Sequence, residues 1–375
     1  QSTAVTRLDL SECDAMTGLP RSMGQLTALT ALDLRGCRSL TGLPEAIGQL
    51  SGLTTLDLSK CESLTGLPES LGQLRALTTF QLSSCNLLLG LPESMGQLTG
   101  LTTVKLRNCR SLAQLPEWIG RLTALTTLDL SYCSFLTALP EPIGKLTALV
   151  ELCLGWCSAL KALPETMGQL ASLEALHLND CHLLPRLPES LGQLAGLKAL
   201  DLSFCRAVKE LPDSVRILRL LTRDNGTKLD LGVHSALTQI PESIGQLTAL
   251  TTLNLCGCRS LTVLPESMGR LTALSTLDLR ACRLLGALPR SLGQLTALRC
   301  VDVSDCRWLS PDLCTWACTA IPSANSQFDM LRRRLLLLVM CGRRRRCRRA
   351  LYLPPEVWFL IHTALWQSQR ERWPP

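Results

Sequence analysis

The chain has 375 residues, of which 46% are hydrophobic and only 18% are charged. No segment approaches the roughly 18–20 consecutive apolar residues that a membrane-spanning helix needs. The net charge is +7, but residues 319–375 carry eleven arginines against three acidic residues, so residues 1–318 are almost neutral. This distribution argues against a nucleic-acid-binding surface on the first 318 residues.

Cysteine recurs along the chain at one phase of a repeat, and we call these residues the ladder cysteines. Their steps are 24 residues long, with a single step of 53. The ladder cysteines are Cys13, Cys37, Cys61, Cys85, Cys109, Cys133, Cys157, Cys181, Cys205, Cys258, Cys282 and Cys306. His234 lies 24 residues before Cys258 and predicts a thirteenth repeat, with five extra residues inserted somewhere in 219–228. Such a period is typical of a solenoid, in which stacked units share one core.

One unit shows what each repeat contains. The alternation at Leu56 and Leu58 predicts a short strand with both leucines facing inward. Pro68 suits the first position of a short helix, and Glu69 then lies at the positive end of that helix. The inward stripe of the helix is formed by Leu67, Leu71 and Leu74. Gly72 permits either close packing or a helix-ending turn.

The run Leu-x-x-Leu-x-Leu-x-x-Cys-x-x-Leu at residues 53–64 resembles the leucine-rich repeat (LRR) signature. The half-repeat Leu-Pro-Glu-Ser-x-Gly-Gln-Leu is similar to that of intracellular LRR proteins of the Ras-binding group and of plant disease-resistance proteins. The resemblance covers residues 1–318. It implies an α/β solenoid, a curved horseshoe of about 13 repeats with a parallel β-sheet on the concave face and short helices on the convex face.

The ladder cysteines have two interpretations. A small side chain with a weak S–H donor could pack beneath the turn after each strand and satisfy loop carbonyls. Alternatively, the thiols could form disulfides or bind metal, but parallel side chains one strand apart have poor disulfide geometry. The structural interpretation is favoured, and 19 free cysteines then predict a reducing, cytoplasmic location.

The outward column four residues before the ladder position is mostly acidic, with aspartate in eight of thirteen repeats. It reads Asp9, Asp33, Asp57, Gln81, Lys105, Asp129, Cys153, His177, Asp201, Asp230, Asn254, Asp278 and Asp302. Two interpretations stay open: a solvated face copied from repeat to repeat, or an acidic groove for a basic partner segment. An arginine column just after the ladder, which includes Arg38 and Arg110, is expected to pair with the aspartates.

The candidate partner-binding residues cluster in the middle of the array, where the acidic column is interrupted. Aromatic side chains precede the ladder residue there, and large amphipathic rings are typical binding anchors. The predicted set is Lys105, Arg107, Asn108, Tyr132, Glu151, Trp156, His177, Asp180 and Phe204.

Cys153 and His177 occupy neighbouring positions in the column, with His182 nearby, so a Cys–His dyad or a metal site is conceivable. No third orienting group and no diagnostic ligand spacing accompany them. The prediction is therefore a protein without catalytic residues, metal or cofactor.

The tail after the repeats has a different composition. Residues 319–350 read as a linker and an Arg/Leu-rich segment, which could bind an anionic membrane surface. Residues 351–375 read as a short helix that starts at Pro354. Its opening resembles an F-box or SOCS-box motif, which implies a ubiquitin-ligase scaffold as a partner. Because the chain starts at Gln1 without a polar cap, we expect further sequence upstream.

These observations predict a non-enzymatic protein-interaction module that recognises a protein partner with its concave face, in intracellular signalling or defence-type recognition. The alternative is a substrate adaptor for a ubiquitin ligase, with residues 351–375 as the docking helix.

Overall fold

The computed structural model describes residues 5–223, 226–232 and 234–309, which form a solenoid of repeated strands. Each repeat has a strand of three residues, and the thirteen predicted repeats each contribute one. The strands are β1 (Arg7–Asp9), β2 (Ala31–Asp33), β3 (Thr55–Asp57), β4 (Thr79–Gln81), β5 (Thr103–Lys105), β6 (Thr127–Asp129), β7 (Glu151–Cys153), β8 (Ala175–His177), β9 (Ala199–Asp201), β11 (Lys228–Asp230), β12 (Thr252–Asn254), β13 (Thr276–Asp278) and β14 (Cys300–Asp302). A further strand, β10 (Thr222–Arg223), lies in the insertion.

The repeat strands are parallel and lie in sequence order. Strands β1–β9 form one sheet, and β11–β14 form a second, in which β10 pairs antiparallel with β11. Pairing joins equivalent residues of successive repeats, such as Leu32 with Leu56 and Asp33 with Asp57. Each sequence column is therefore a physical row of side chains across the sheet, and the predicted parallel sheet is confirmed.

Short helices return the chain from one strand to the next. In the described residues they are 3₁₀ helices of five residues, with one α-helix in the ninth repeat, α1 (Val215–Leu220). The 3₁₀ helices span Arg21–Gln25, Glu45–Gln49, Glu69–Gln73, Glu93–Gln97, Glu117–Arg121, Glu141–Lys145, Glu165–Gln169, Glu189–Gln193, Glu242–Gln246, Glu266–Arg270 and Arg290–Gln294. One turn is too short for a regular α-helix, so the closing bond runs three residues back, from the Leu74 N–H to the Leu71 carbonyl at 3.0 Å.

A proline lies directly before each of the 3₁₀ helices, so each of these helices begins one residue later than predicted. Pro68 has φ −74° and ψ 151°, which is extended backbone, and therefore precedes the helix instead of occupying its first position. Its carbonyl accepts the first helical bond, from the Leu71 N–H at 3.2 Å. Glu69 does lie in the first turn, but its carboxylate reaches the next repeat, where it accepts the Ser94 N–H at 2.9 Å.

A continuous leucine core runs through the array. Leu56, Leu58, Leu71 and Leu74 are fully buried, as the alternation and the helical stripe predicted, and Leu67 is partly buried at the edge of the core. Every unit buries its apolar face against its neighbours, which is how a chain that is 46% hydrophobic forms an extended fold.

The repeated glycine allows successive helices to approach closely. A Cβ added at Gly72 would lie 2.5 Å from the Cβ of Ser94 in the next repeat. The helix ends at Gln73, with Leu74 as its C-cap, so close packing, and not a helix-ending turn, explains Gly72.

The ladder cysteines are structural. The Cys61 thiol donates to the Leu34 carbonyl at 3.3 Å and the Cys133 thiol to the Leu106 carbonyl at 3.2 Å. The same bond, 27 residues back, is made by all eleven ladder cysteines from Cys37 onward. Apart from Cys306, the fourteen cysteines in the described part of the chain are free thiols. The prediction that these thiols satisfy loop carbonyls is confirmed.

The insertion keeps the thirteenth repeat in register. His234 is buried at the ladder position, and its Nδ1 lies 2.9 Å from the carbonyl oxygen of Cys205, the preceding ladder residue. The ladder thiols instead bond to the carbonyl three residues earlier, as Cys205 does with Leu178. Burial lowers the pKa of His234, which favours the neutral ring. The extra residues are accommodated by α1 and β10, and the break between the two sheets falls at this place.

Within the described residues, no helix is long and apolar enough to cross a membrane. The predicted linker, the Arg/Leu-rich segment and the C-terminal helix, residues 319–375, lie outside the described residues.

Candidate partner-binding surface

A left-handed turn follows the repeat strand in the twelve repeats where the residue just before the ladder position is described. In the described repeats φ there is between 58° and 66° for the non-glycine residues, and Gly36 and Gly257 have φ of 76° and 81°. The turn is fixed by a backbone bond to the next repeat, such as that from the Trp156 N–H to the Asn179 carbonyl at 2.7 Å. Glycine is the residue that tolerates this conformation best, yet Tyr132, Trp156 and Phe204 occupy it.

Three of the predicted residues form one stack across consecutive repeats. The rings of Tyr132 and Trp156 are parallel, with centroids 5.5 Å apart and an interplanar angle of 4°. The guanidinium carbon of Arg107 lies 4.7 Å from the Tyr132 centroid. Such cation–π and stacked contacts hold long side chains in one arrangement, which lowers the entropy lost on binding a partner.

Exposed apolar side chains accompany this stack in four consecutive repeats. Phe135, Trp156, Leu183 and Phe204 each expose between 43% and 63% of their surface. Phe135 and Leu183 lie two residues after their ladder cysteines and were missed in the sequence. Their signal was a second column of large apolar residues on the solvent side of the turn. We call Arg107, Tyr132 and these four residues the aromatic patch.

The aspartate column has a structural cause that neither predicted interpretation included. The Asp57 carboxylate accepts the Ser59 N–H at 2.8 Å, and Asn254 accepts the Cys256 N–H at 2.9 Å with its side-chain oxygen. This Asx turn occurs at all eight aspartates and at Asn254. The column therefore stabilises the chain as it leaves each strand, and Asp-x-Ser was its visible signal.

The four departures from Asp or Asn in this column leave side chains free of that turn. Lys105 is exposed at the end of β5, two residues before Arg107. On β7 and β8, the Cys153 thiol lies 3.5 Å from Glu151 Oε1, and His177 Nε2 lies 3.8 Å from the same oxygen. The structure thus brings Glu151, Cys153 and His177 together on the sheet face.

The remaining predicted residues lie at the rim of the turns. The Asn108 amide donates to Ser84 Oγ at 3.2 Å and its oxygen accepts from Arg110. Asp180 is buried, at 9% exposure, with His182 Nε2 3.7 Å from its carboxylate, so it offers a partner little surface.

The expected pairing of the arginine column with the aspartate column is wrong. Among the ion pairs of the described residues, none joins the two columns; Arg38 instead lies 3.8 Å from Asp14. The left-handed turn and the ladder cysteine separate the two columns, and the aspartates already bind backbone N–H groups.

The repeats match known family models. The model described as "Leucine-rich repeat region" matches residues 104–210, and the model described as "Leucine Rich Repeat" matches residues 52–74 and 273–295. The chain is a leucine-rich repeat protein. Its repeats consist of a strand and a short helix, and equivalent residues of successive repeats pair across the sheet. This arrangement is an α/β LRR solenoid.

Several solved structures are similar to this LRR protein. An LRR protein of Leptospira interrogans is 26% identical, with 90% of this chain and 95% of that chain covered and a TM-score of 0.37. The LRR domain of the type III effector XopL is 23% identical, with 80% and 76% covered and a TM-score of 0.38. A chain of the Drosophila Toll–Spatzle complex is 19% identical, with 76% and 41% covered and a TM-score of 0.46. No curated protein sequence matches the chain.

The Cys153–His177 pair lacks the properties of an activated nucleophile. Burial, together with the charges of Asp129 and Glu151, raises the pKa of Cys153 to about 12. A nucleophilic cysteine needs the opposite, a pKa lowered toward neutrality that populates the thiolate.

Proposed function

We propose that this LRR protein is a non-enzymatic recognition module that binds a protein partner on the sheet face and turn rim around the aromatic patch. The observation that carries the proposal is the Arg107–Tyr132–Trp156 stack, together with exposed apolar residues in the same repeats and in the next two. Buried aromatic and arginine anchors supply most of the binding energy at protein interfaces. LRR solenoids as a class bind protein partners through extended surfaces.

Aromatic residues at these turns lower the stability of the fold, which supports a role for them in binding. Bulky residues in the left-handed conformation are uncommon, and each costs about 1–2 kcal/mol relative to an allowed conformation. Gly36 and Gly257 show that the same turn accepts glycine. Aromatic rings at three such positions therefore work against stability, as strained residues at functional sites do.

The partner that fits best offers apolar side chains for the rings and a carboxylate for the basic edge. Lys105 and Arg107 are both exposed and lie at one end of the patch. A carboxylate there would meet two cations, and desolvation would strengthen the cation–π contact of Arg107 with Tyr132.

We place this recognition in the cytoplasm, in signalling or defence. Fourteen free cysteines in the described residues support a reducing compartment. The Leu-Pro-Glu-Ser-x-Gly-Gln-Leu half-repeat, similar to that of intracellular LRR proteins, supports the same assignment.

The test is quantitative capture of a partner from native extract, with identification by mass spectrometry. The variant Tyr132→Ala/Trp156→Ala/Phe204→Ala should lose the partner by about 2 kcal/mol or more, roughly thirtyfold in Kd. The matched control is Leu89→Ala/Val263→Ala, which removes apolar surface that is equally exposed but lies outside the patch. The proposal fails if both variants retain the partner equally, or if only the control loses it.

A further inference from the structure

A mixed cluster of metal-ligating groups lies on the same face as the patch but uses none of its residues. Glu151 and Cys153 are two residues apart on β7 and so point to one side of the sheet. His177 on β8 pairs in register with Cys153. One ligand atom from each of the three residues lies within 4.8 Å of the others. We propose that Glu151, Cys153 and His177 form a binding site for a divalent transition-metal ion, with Zn²⁺ as the ion that fits.

The distances are close to those that a tetrahedral ion requires. Zn²⁺ binds thiolate sulfur at about 2.3 Å, imidazole nitrogen at about 2.0–2.1 Å and carboxylate oxygen at about 2.0–2.2 Å. Tetrahedral angles then separate neighbouring ligand atoms by about 3.4–3.6 Å. The observed separations are 3.5 Å from Cys153 Sγ to Glu151 Oε1 and 3.8 Å from His177 Nε2 to the same oxygen. Small side-chain rotations, with the backbone held by the sheet, complete the geometry.

The donor types select the ion. One thiolate, one imidazole and one carboxylate are borderline-soft ligands that suit Zn²⁺, whereas Mg²⁺ and Ca²⁺ require sets of oxygen atoms. With three protein ligands, a water molecule takes the fourth position. The proposal is independent of the partner-binding function, since the metal needs no other chain.

The repeat pattern itself singles out these positions. In nine repeats the column residue is Asp or Asn, and its side chain bonds to the backbone N–H two residues later. Cys153 and His177 replace that residue in two consecutive repeats, and a glutamate stands two residues before Cys153. Among the four departures from Asp or Asn, Cys153 and His177 are the two with metal-ligating side chains, and they lie in consecutive repeats.

The local charge favours a cation. The negative charges of Asp129 and Glu151 act on Cys153, while the positive charge of Arg107 opposes them. A bound divalent cation would offset the charge of these carboxylates.

The experiment uses the full chain without a histidine tag, treated with chelator and titrated with Co²⁺ as a spectroscopic probe. We expect one equivalent to produce a sulfur-to-cobalt charge-transfer band, which Zn²⁺ then removes by competition. Cys153→Ser should abolish the band. His177→Gln and Glu151→Gln should each weaken binding at least about tenfold, because loss of even a second-shell partner costs that much.

Matched controls use the same residue types elsewhere. Cys256→Ser removes another half-buried thiol and His182→Gln another surface imidazole, and neither should change the titration. The proposal is overturned if the wild-type protein shows no charge-transfer band, if the band survives Cys153→Ser, or if Zn²⁺ does not remove the band by competition.

Discussion

The left-handed turn makes a prediction about Phe204 that reverses the usual order of alanine and glycine. Phe204 has φ 63° and an exposed ring. Phe204→Ala and Phe204→Gly remove the same ring, so the lost burial cancels when the two variants are compared. Only the backbone conformation then distinguishes them.

The magnitude follows from two opposing terms. Alanine retains the left-handed strain of about 1–2 kcal/mol, which glycine relieves. Glycine loses about 0.5–1 kcal/mol more than alanine in conformational entropy on folding. The net expectation is that Phe204→Gly is more stable than Phe204→Ala by up to about 1.5 kcal/mol, whereas in ordinary helices and strands alanine is the more stable.

The absolute change should also be small. Burying a phenylalanine side chain completely contributes about 1.5–3 kcal/mol, and Phe204 buries only half of its surface. Relief of strain offsets most of that loss in Phe204→Gly. Phe80 is the matched control, because its ring is fully buried in the core, and Phe80→Ala should cost about 3–5 kcal/mol.

The assay is urea unfolding followed by circular dichroism, with free energies from linear extrapolation. A Phe204→Ala variant at least as stable as Phe204→Gly would show that strain at the turn is negligible, and the argument that the rings are retained for binding would lose its basis. A loss at Phe204 as large as that at Phe80 would show that the ring belongs to the core.

Two further predictions concern the repeat itself. Gly72→Ala should destabilise the protein by about 1–3 kcal/mol through the clash with Ser94. Gly66 has open space around it, so Gly66→Ala should be neutral or slightly stabilising. The midpoints of urea unfolding compare the two variants, and equal midpoints would contradict the close-packing argument. Burial raises the pKa of the Cys61 thiol to about 12. Alkylation of native protein, followed by mass spectrometry, should therefore modify exposed Cys13 rapidly and leave Cys61 intact. Thiol titration of anaerobically purified, denatured protein should find nearly all 19 cysteines free. Disulfides between ladder positions would contradict this prediction.

The periodic features of the fold could be predicted from the sequence because each is fixed by local pattern. The alternation at Leu56 and Leu58 sets which side of the strand faces inward. The 24-residue step sets the register, and the spacing from His234 to Cys258 located the repeat hidden by the insertion. In a solenoid, long-range pairing follows from the period, so a correct phase gives the contacts between repeats as well.

The features that escaped prediction depend on backbone geometry or on insertion. The left-handed turn has no single sequence signature, because Glu12, Lys60 and Trp156 all adopt it under the same bonds from the next repeat. The division of the sheet depends on how the five extra residues fold into α1 and β10, which no repeat template contains. The predicted pairing of the two columns was wrong because the left-handed turn and the ladder cysteine separate them; the aspartates remain able to bind arginine, as Asp278 does with Arg280.

The contrast between repeats indicates where function lies better than any single residue does. Where the column residue is Asp or Asn, its side chain is occupied by its own turn and can contribute little to recognition. Where the residue departs from that chemistry, as at Lys105, Cys153 and His177, the turn is maintained by backbone bonds from the next repeat, such as that from the Trp156 N–H. The released side chains lie in the same part of the array as the aromatic patch. The loss of the Asx turn and the exposed rings thus coincide between β5 and β9, and this coincidence favours one functional surface there.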